Sequence, residues 1–162
     1  MCIRDSKILV RVSADLFVEE SLIHFDVERV DEVISVYCPG GFIPLKSVTD
    51  FSIFPYTGYP WNLFLLESYL RKFSRVFKYE VRSVNSSNVG VIVRKSFVYN
   101  DYDDIMAIAL ARSFVTLEDK KEAIEYLFQN GFIARKNIEY IEKKVLLLAK
   151  RLRKAQGEKG AI

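Results

Sequence analysis

Apolar side chains between Trp61 and Phe77 recur every three or four residues, the spacing that places them on one broad face of an α-helix. The members of this pattern are Trp61, Leu65, Leu66, Tyr69, Leu70, Phe73 and Phe77. Pro60 suits the first turn of such a helix, because a residue there needs no N–H donor. The pattern predicts a central amphipathic helix over about residues 60–76, whose apolar face must be buried against neighbouring segments.

A change of period after this helix predicts a β-hairpin over about residues 77–94. Phe77, Tyr79 and Val81 alternate with charged residues, as in a strand that is buried on one face. After a polar turn at 85–88, the run Val89–Val93 is apolar on both faces, which predicts a strand inside the sheet. The sequence therefore predicts an α+β fold in which a small sheet packs on the central helix.

The residues before the central helix give weaker patterns. The alternating run Leu22–Val27 predicts a strand. Apolar residues then recur with helical spacing from Val27 to Tyr37 and end at Pro39-Gly40-Gly41, although a hairpin turning at those glycines also fits. We prefer the helix, followed by an extended segment around Pro44, because proline disfavours helix for itself and for the preceding residue.

The last third of the chain predicts three consecutive helices. The first begins at Asn100-Asp101 and is apolar nearly all round; the second has Thr116 as its N-cap and Gly131 as the residue that ends it. A stripe with alternating spacings of three and four marks the third helix: Ile138, Ile141, Val145, Leu148 and Leu152. Residues 156–162 are predicted to form a frayed tail.

Length and composition agree with one domain that has a substantial core, since half of the 162 residues are hydrophobic. We predict a single α+β domain over residues 7–155, with a candidate sub-boundary at 97–100. No apolar run approaches the roughly 20 residues that a membrane span needs, so no membrane partner is expected. Two cysteines, Cys2 and Cys38, are too few for a disulfide framework, which favours a cytoplasmic location.

The first six residues, MCIRDS, resemble the translated adapter sequence found at the front of open reading frames from assembled metagenomes. We interpret residues 1–6 as a non-native leader. The phrases TGYPWNLFLLESYLRKFS, NSSNVGVIVRKS and EAIEYLFQNGFIARK look like motifs of a bacterial protein, although they carry no function with them. The expectation is that the chain is the C-terminal portion of a larger bacterial protein.

Residues that could support catalysis are few. The chain has one histidine, His24, and neither a two-histidine metal motif nor a glycine-rich phosphate loop. Asp101, Asp103 and Asp104 are weak metal candidates, because hard cations prefer carboxylate oxygens. Carboxylates in a first helical turn are equally expected as caps, and we prefer that interpretation. No cofactor is expected.

Basic residues are the stronger candidates for a binding function. The first group surrounds the central helix and the hairpin: Arg71, Arg75, Lys78, Arg82 and Arg94. These residues could form one positive patch, but the interpretation we prefer is a solvated face that covers a hydrophobic helix. The second group lies in the last helix, where residues 135–162 carry nine Lys/Arg against three Glu, a net of +6. At 100° per residue, Lys143, Lys150 and Lys154 project opposite the apolar stripe. Leu146 and Leu147 fall on the same outward half, which predicts a partner surface.

Together these observations predict a non-catalytic binding module. It would dock against the rest of a larger polypeptide or a protein partner, or hold nucleic acid through the two basic groups. The predicted second helix of the C-terminal set carries a net negative charge, which argues against its use as a DNA-reading helix. The alternatives are a metal-dependent enzyme fragment that uses the aspartate cluster, and a purely structural docking domain in which Leu146 and Leu147 pack inside the chain.

Overall fold

The computed structural model describes residues 9–81, 89–136 and 138–160. The strands are β1 (Leu9–Arg11), β2 (Phe17–Glu19), β3 (Phe42–Pro44), β4 (Phe77–Glu80) and β5 (Val91–Arg94). The first four helices are α1 (Val27–Tyr37), α2 (Leu63–Lys72), α3 (Tyr102–Arg112) and α4 (Lys120–Gln129). The terminal helix consists of α5 (Ile138–Tyr140), a π-helical segment (Ile141–Leu146) and α6 (Leu147–Gly160). The predicted α+β class with a helical C-terminal segment is confirmed.

The chain divides into two compact units. The first comprises Met1–Glu80 with Val91–Phe97, and the second comprises Val81–Gly90 with Val98–Ile162. The division after Phe97 falls at the candidate boundary, and the single domain over residues 7–155 stays a prediction. In the described part of the chain, no helix combines the length and the apolarity required to cross a bilayer.

The first unit contains two antiparallel sheets, β1–β2 and the three-stranded sheet β3–β5–β4. The strand β5 pairs on both sides, with Ile92 opposite Ile43 of β3 and opposite Tyr79 of β4. Val91, Ile92 and Val93 are all 0% exposed. The prediction that this apolar run lies inside the sheet, as part of a hairpin with the strand that starts at Phe77, is therefore confirmed. The predicted turn at 85–88 lies outside the described residues.

The central helix α2 is shorter than the predicted 60–76 at both ends, since it begins at Leu63 and ends at Lys72, with Phe73 as its C-cap. Asn62 is its N-cap, because the Asn62 side chain accepts a hydrogen bond from the Leu65 N–H at 3.0 Å. Pro60 is therefore not a first-turn residue, and Trp61 lies in the preceding loop, where its indole N–H donates to the Pro55 carbonyl at 2.7 Å. The apolar face itself is confirmed: Leu65, Leu66, Tyr69 and Leu70 are buried in the core of this unit.

The helix α1 has the predicted limits, and the hairpin alternative is excluded. The strand predicted for Leu22–Val27 is wrong, because a 3₁₀ turn (Glu20–Leu22) and a loop lead directly into α1. Asp26 explains this outcome, since its side chain accepts from the Arg29 N–H and so caps the helix. After α1, Gly41 has a φ of 98° and lies where a Cβ would meet the Phe97 ring at 2.3 Å, so only glycine fits there.

In the second unit, α3 is buried nearly all round, as predicted for an apolar helix that begins after Asp101. The N-cap of α4 is Asp119 and not Thr116: the Asp119 carboxylate accepts from the N–H groups of Lys121 and Glu122. A carboxylate suits the positive end of a helix better than a hydroxyl does, which explains the shift. Gly131, with φ 83°, ends this segment as predicted.

Candidate functional site

The terminal helix buries one side and exposes the other. Ile141, Val145, Leu146 and Ala149 are at most 2% exposed. The opposite side of α6 carries four exposed residues at i, i+3, i+4 and i+7, which share one side of a helix, and Lys143 is exposed in the π-helical segment just before them. We call this set the basic face: Lys143, Leu147, Lys150, Arg151 and Lys154. All three predicted lysines are therefore exposed, and Lys150 and Lys154 share one side of α6.

The predicted outward position of Leu146 is wrong. Leu146 is 2% exposed, whereas Leu147 is 54% exposed. The reason is the π-helical segment Ile141–Leu146, in which the backbone bonds join i and i+5 and each residue turns by a smaller angle than in an α-helix. A projection at 100° per residue therefore accumulates an error along this segment. As a candidate for partner binding, Leu147 remains on the exposed side.

The basic face has little competing negative charge. Lys143 pairs with Glu139 at 3.0 Å, but both side chains are mostly exposed, so the pair is weak. Within the described ranges, Lys150, Arg151 and Lys154 form no ion pair. The sequence from Lys143 to Gly157 contains no acidic residue. Lys150, Arg151 and Lys154 therefore carry positive charge that no described acidic side chain pairs with.

Arg153 belongs to the same helix but has a different role. Its guanidinium donates to the carbonyl groups of Leu110 at 2.7 Å, Ser113 at 2.9 Å and Val115 at 2.6 Å. These carbonyls lie at and just after the C-terminal end of α3, where a helix leaves acceptors without partners and carries partial negative charge. Arg153 is therefore a structural cation. Sequence reasoning missed it, because an arginine within a basic run gives no sign of being satisfied inside the fold.

The first basic group does not form one patch. Arg71 pairs with Glu67 at 3.2 Å and lies over the Tyr79 ring at 4.8 Å. Lys78 pairs with Glu80 at 3.7 Å. Arg94 pairs with Phe77 between β5 and β4, so these two side chains lie on the same face of the sheet. Lys78 follows Phe77 in the strand and points to the other face, so Lys78 and Arg94 lie on different faces.

The remaining members of that group are Arg75 and Arg82. Arg75 lines one cavity of the first unit together with Arg94. Arg82 lies outside the described residues. Lys78 therefore lies apart from Arg94, and the terminal helix carries the stronger candidate site.

The aspartate cluster is occupied by protein donors. Asp101 accepts from the Asp104 N–H at 3.0 Å, and Asp104 accepts from the Asn100 N–H at 2.8 Å. Asp103 accepts from the Tyr140 hydroxyl at 2.5 Å and so ties α3 to the terminal helix. Over the residues that the structure describes, no group of three or more His, Cys, Asp or Glu is arranged to hold a metal ion. Asp101 and Asp104 are therefore helix caps, the interpretation preferred from the sequence, whereas Asp103 instead makes a tertiary hydrogen bond.

A buried carboxylate in the first unit escaped the sequence analysis. Asp31 is 4% exposed and accepts from the hydroxyls of Tyr69 at 2.7 Å and Ser74 at 2.6 Å. Its other oxygen accepts from the N–H groups of Arg75 at 3.0 Å and Val76 at 3.2 Å. The four donors join α1 to α2, through Tyr69, and to the turn between α2 and β4. Burial, reinforced by the hydrogen bond to Asp31, raises the pKa of the Tyr69 hydroxyl.

Comparison with protein-family models, with curated proteins and with solved structures gives no significant match for this chain. The chemistry of its own residues is therefore the basis for proposing a function.

Proposed function

We propose that the chain is a non-catalytic binding module that holds the phosphate backbone of a nucleic acid on its basic face. The observation that supports this proposal is the position of Lys150, Arg151 and Lys154, three exposed cations without an acidic partner in the described chain, on the side opposite a buried stripe. The first and last of them lie about 6 Å apart along the helix axis, given a rise of 1.5 Å per residue.

The shape of the site favours an extended polyanion. A small anion is held best by donors that converge on it, whereas side chains on the outer side of a helix diverge. A chain of phosphates meets several diverging cations in turn and releases counterions as it binds. Lysine and arginine on phosphates fix position but do not read bases, so the proposed binding is independent of sequence.

The proposed setting is the reducing cytoplasm of a bacterium. Cys38 is a free and fully buried thiol, which agrees with a compartment that keeps thiols reduced.

Fluorescence anisotropy with labelled single-stranded and duplex oligonucleotides of mixed sequence tests the proposal. The triple variant Lys150→Glu, Arg151→Glu, Lys154→Glu should lose at least about tenfold in affinity for every sequence, because three phosphate contacts become repulsive. The matched control is Arg29→Glu, Lys46→Glu, Lys72→Glu, which changes net charge equally at exposed positions of the first unit. Its affinity should fall much less.

Two results would remove the proposal. One is the absence of binding by the unaltered chain at low salt. The other is an equal loss in the triple variant and its control, which would assign the effect to net charge and not to the basic face.

Leu147 supports a second candidate function, docking of an acidic protein segment or of the rest of a larger polypeptide. This side chain is 54% exposed in the middle of the basic face, where a protein partner would bury it. The substitution Leu147→Lys separates the two candidates. It adds a cation, so nucleic-acid affinity should hold or increase, whereas docking that depends on apolar contact should weaken.

A further inference from the structure

The first unit contains a charged cavity of about 290 Å³ that is independent of the basic face. Glu28, Glu32 and Ser35 line it from α1, where the spacings i, i+4 and i+7 place them on one side of the helix. Arg75 and Arg94 line it from the turn before β4 and from the end of β5. Asp31 also lines the cavity, but its carboxylate already accepts from four donors of the fold. The carboxylates of Glu28 and Glu32 and two guanidiniums therefore border the same small space and are left for a ligand.

The opposite charges do not pair with each other. In the part of the chain that the structure describes, none of Glu28, Glu32, Arg75 and Arg94 takes part in an ion pair within 4.0 Å. Each side of the cavity thus retains its capacity to bind an ion. A molecule that carries both signs of charge would satisfy both sides at once.

The cationic side is held in place by the fold. The backbone N–H of Arg75 donates to the buried Asp31 carboxylate at 3.0 Å, which fixes the turn that carries its side chain. The Arg94 guanidinium lies over the ring of Phe77 at 4.9 Å, and that ring is fully buried. A site whose groups are already ordered spends less conformational entropy on binding a ligand.

We infer that this cavity binds a small zwitterion of the size of an amino acid. Its carboxylate would lie between Arg75 and Arg94, because a guanidinium matches the planar geometry of a carboxylate. Its ammonium group would lie beside Glu28 and Glu32. A volume near the lower end of ligand cavities, which is about 300 Å³, fits one such molecule and excludes a nucleotide or a polymer.

Two-dimensional ¹H–¹⁵N NMR titration of the whole chain tests the inference. The probes are glycine, L-glutamine, L-arginine and L-glutamate, which cover small, neutral, cationic and anionic side chains. At least one should shift the amide resonances of Arg75, Val76 and the exposed side of α1 in a saturable way. The N-acetyl and carboxamide derivatives of that probe each lack one charge, and each should bind at least about tenfold more weakly.

Variants provide the second arm of the test. Arg75→Gln and Glu32→Gln should each weaken the zwitterion about fivefold or more, and both positions are exposed, so the fold should persist. Lys46→Gln is the matched control, since Lys46 is exposed and does not line the cavity. The variant Lys150→Glu, Arg151→Glu, Lys154→Glu should bind the zwitterion normally, which keeps this test separate from that of nucleic-acid binding.

Three outcomes would overturn the inference. The first is that no probe shifts the cavity resonances in a saturable manner. The second is that the N-acetyl derivative binds as tightly as the free amino acid, which would show a carboxylate site without a role for the glutamates. The third is unchanged affinity in Arg75→Gln, because the proposed geometry places the ligand carboxylate against that guanidinium.

Discussion

Asp31 shows how a single residue can determine the stability of the first unit. A buried carboxylate is costly unless donors replace the water it has lost, and here four donors do so. The same four donors belong to the segment that ends α2 and begins β4, so Asp31 fixes the position of α1 against that segment. The sequence could not reveal this role, because an aspartate next to Glu32 in an amphipathic helix has the pattern of a solvent-exposed residue.

The substitution Asp31→Ala should destabilise the protein by about 3 kcal/mol, since it removes the acceptor of the buried Ser74 hydroxyl and of two part-buried N–H groups, and leaves the Tyr69 hydroxyl only the Val27 carbonyl. Urea unfolding followed by circular dichroism measures the change. Glu32→Ala is the control on the same helix, and as an exposed position it should cost less than about 0.5 kcal/mol. A similar small cost for both variants would contradict the structural role of Asp31.

The buried thiol of Cys38 should make the folded protein less stable at high pH. Burial raises the pKa of this thiol from 9.0 to about 11. In that range the unfolded chain releases the thiol proton while the folded chain keeps it, so a rise in pH favours unfolding. The contribution of Cys38 to stability is complete below pH 9.0 and is lost as the pH increases towards about 11.

The measurement is the free energy of unfolding in urea across this range for the unaltered chain and for Cys38→Ala. The variant should be less stable at neutral pH, because it loses buried volume. Its free energy of unfolding should also fall less steeply as the pH rises, with a slope that differs from that of the unaltered chain by at most about 1.4 kcal/mol per pH unit. Identical slopes would show that the thiol ionises equally easily in the folded and unfolded chains.

At the scale of elements, periodicity predicted the identity of the helices better than capping rules predicted their first residues. The limits of α1 followed from helical spacing that competed with a hairpin, and the central position of β5 followed from a run that is apolar on both faces. The predicted first residues of α2 and α4 were wrong, because several residues near each start could begin the helix. The sequence does not show that Asn62 caps α2 in preference to a start at Pro60, or that Asp119 caps α4 in preference to Thr116. These choices depend on which side chain reaches the free N–H groups once the preceding loop is packed.

The terminal helix shows a second limit of sequence reasoning. Lys150 and Lys154 were placed on the exposed side correctly, whereas Leu146 was not, because no residue pattern announced the π-helical segment. Within one helix, Arg151 and Arg153 also look alike in the sequence. In the structure Arg151 is exposed, while Arg153 donates to the carbonyls that follow α3.

Substitution of Arg153 should therefore affect stability, whereas substitution of Arg151 should affect binding. Arg153→Ala should lower the free energy of unfolding by about 2 kcal/mol, because three part-buried carbonyls lose a charged donor. Arg151→Ala should leave stability within about 0.5 kcal/mol and should weaken oligonucleotide binding. Thermal or urea unfolding and fluorescence anisotropy, applied to both variants, measure the two effects. A loss of stability in Arg151→Ala equal to that in Arg153→Ala would contradict the assignment of roles.

At the scale of the whole molecule, charge is distributed unevenly along the chain. Residues 135–162 carry a net of +6, whereas residues 1–134 carry a net of −3. Arg153 is used inside the fold and Lys143 has a nearby glutamate, whereas Lys150, Arg151 and Lys154 of the basic face form no ion pair among the described residues. Composition indicated the region, but only the fold identified which cations remain available to a partner.

The salt dependence of oligonucleotide binding tests the proposed function most directly. Three phosphate contacts predict that the logarithm of the association constant falls with the logarithm of salt concentration with a slope of about −2 to −3. The variant Lys150→Gln, Arg151→Gln, Lys154→Gln should have a slope near zero if those three residues make the contacts. An equal slope in the variant and the unaltered chain would contradict the assignment of the basic face as the binding site.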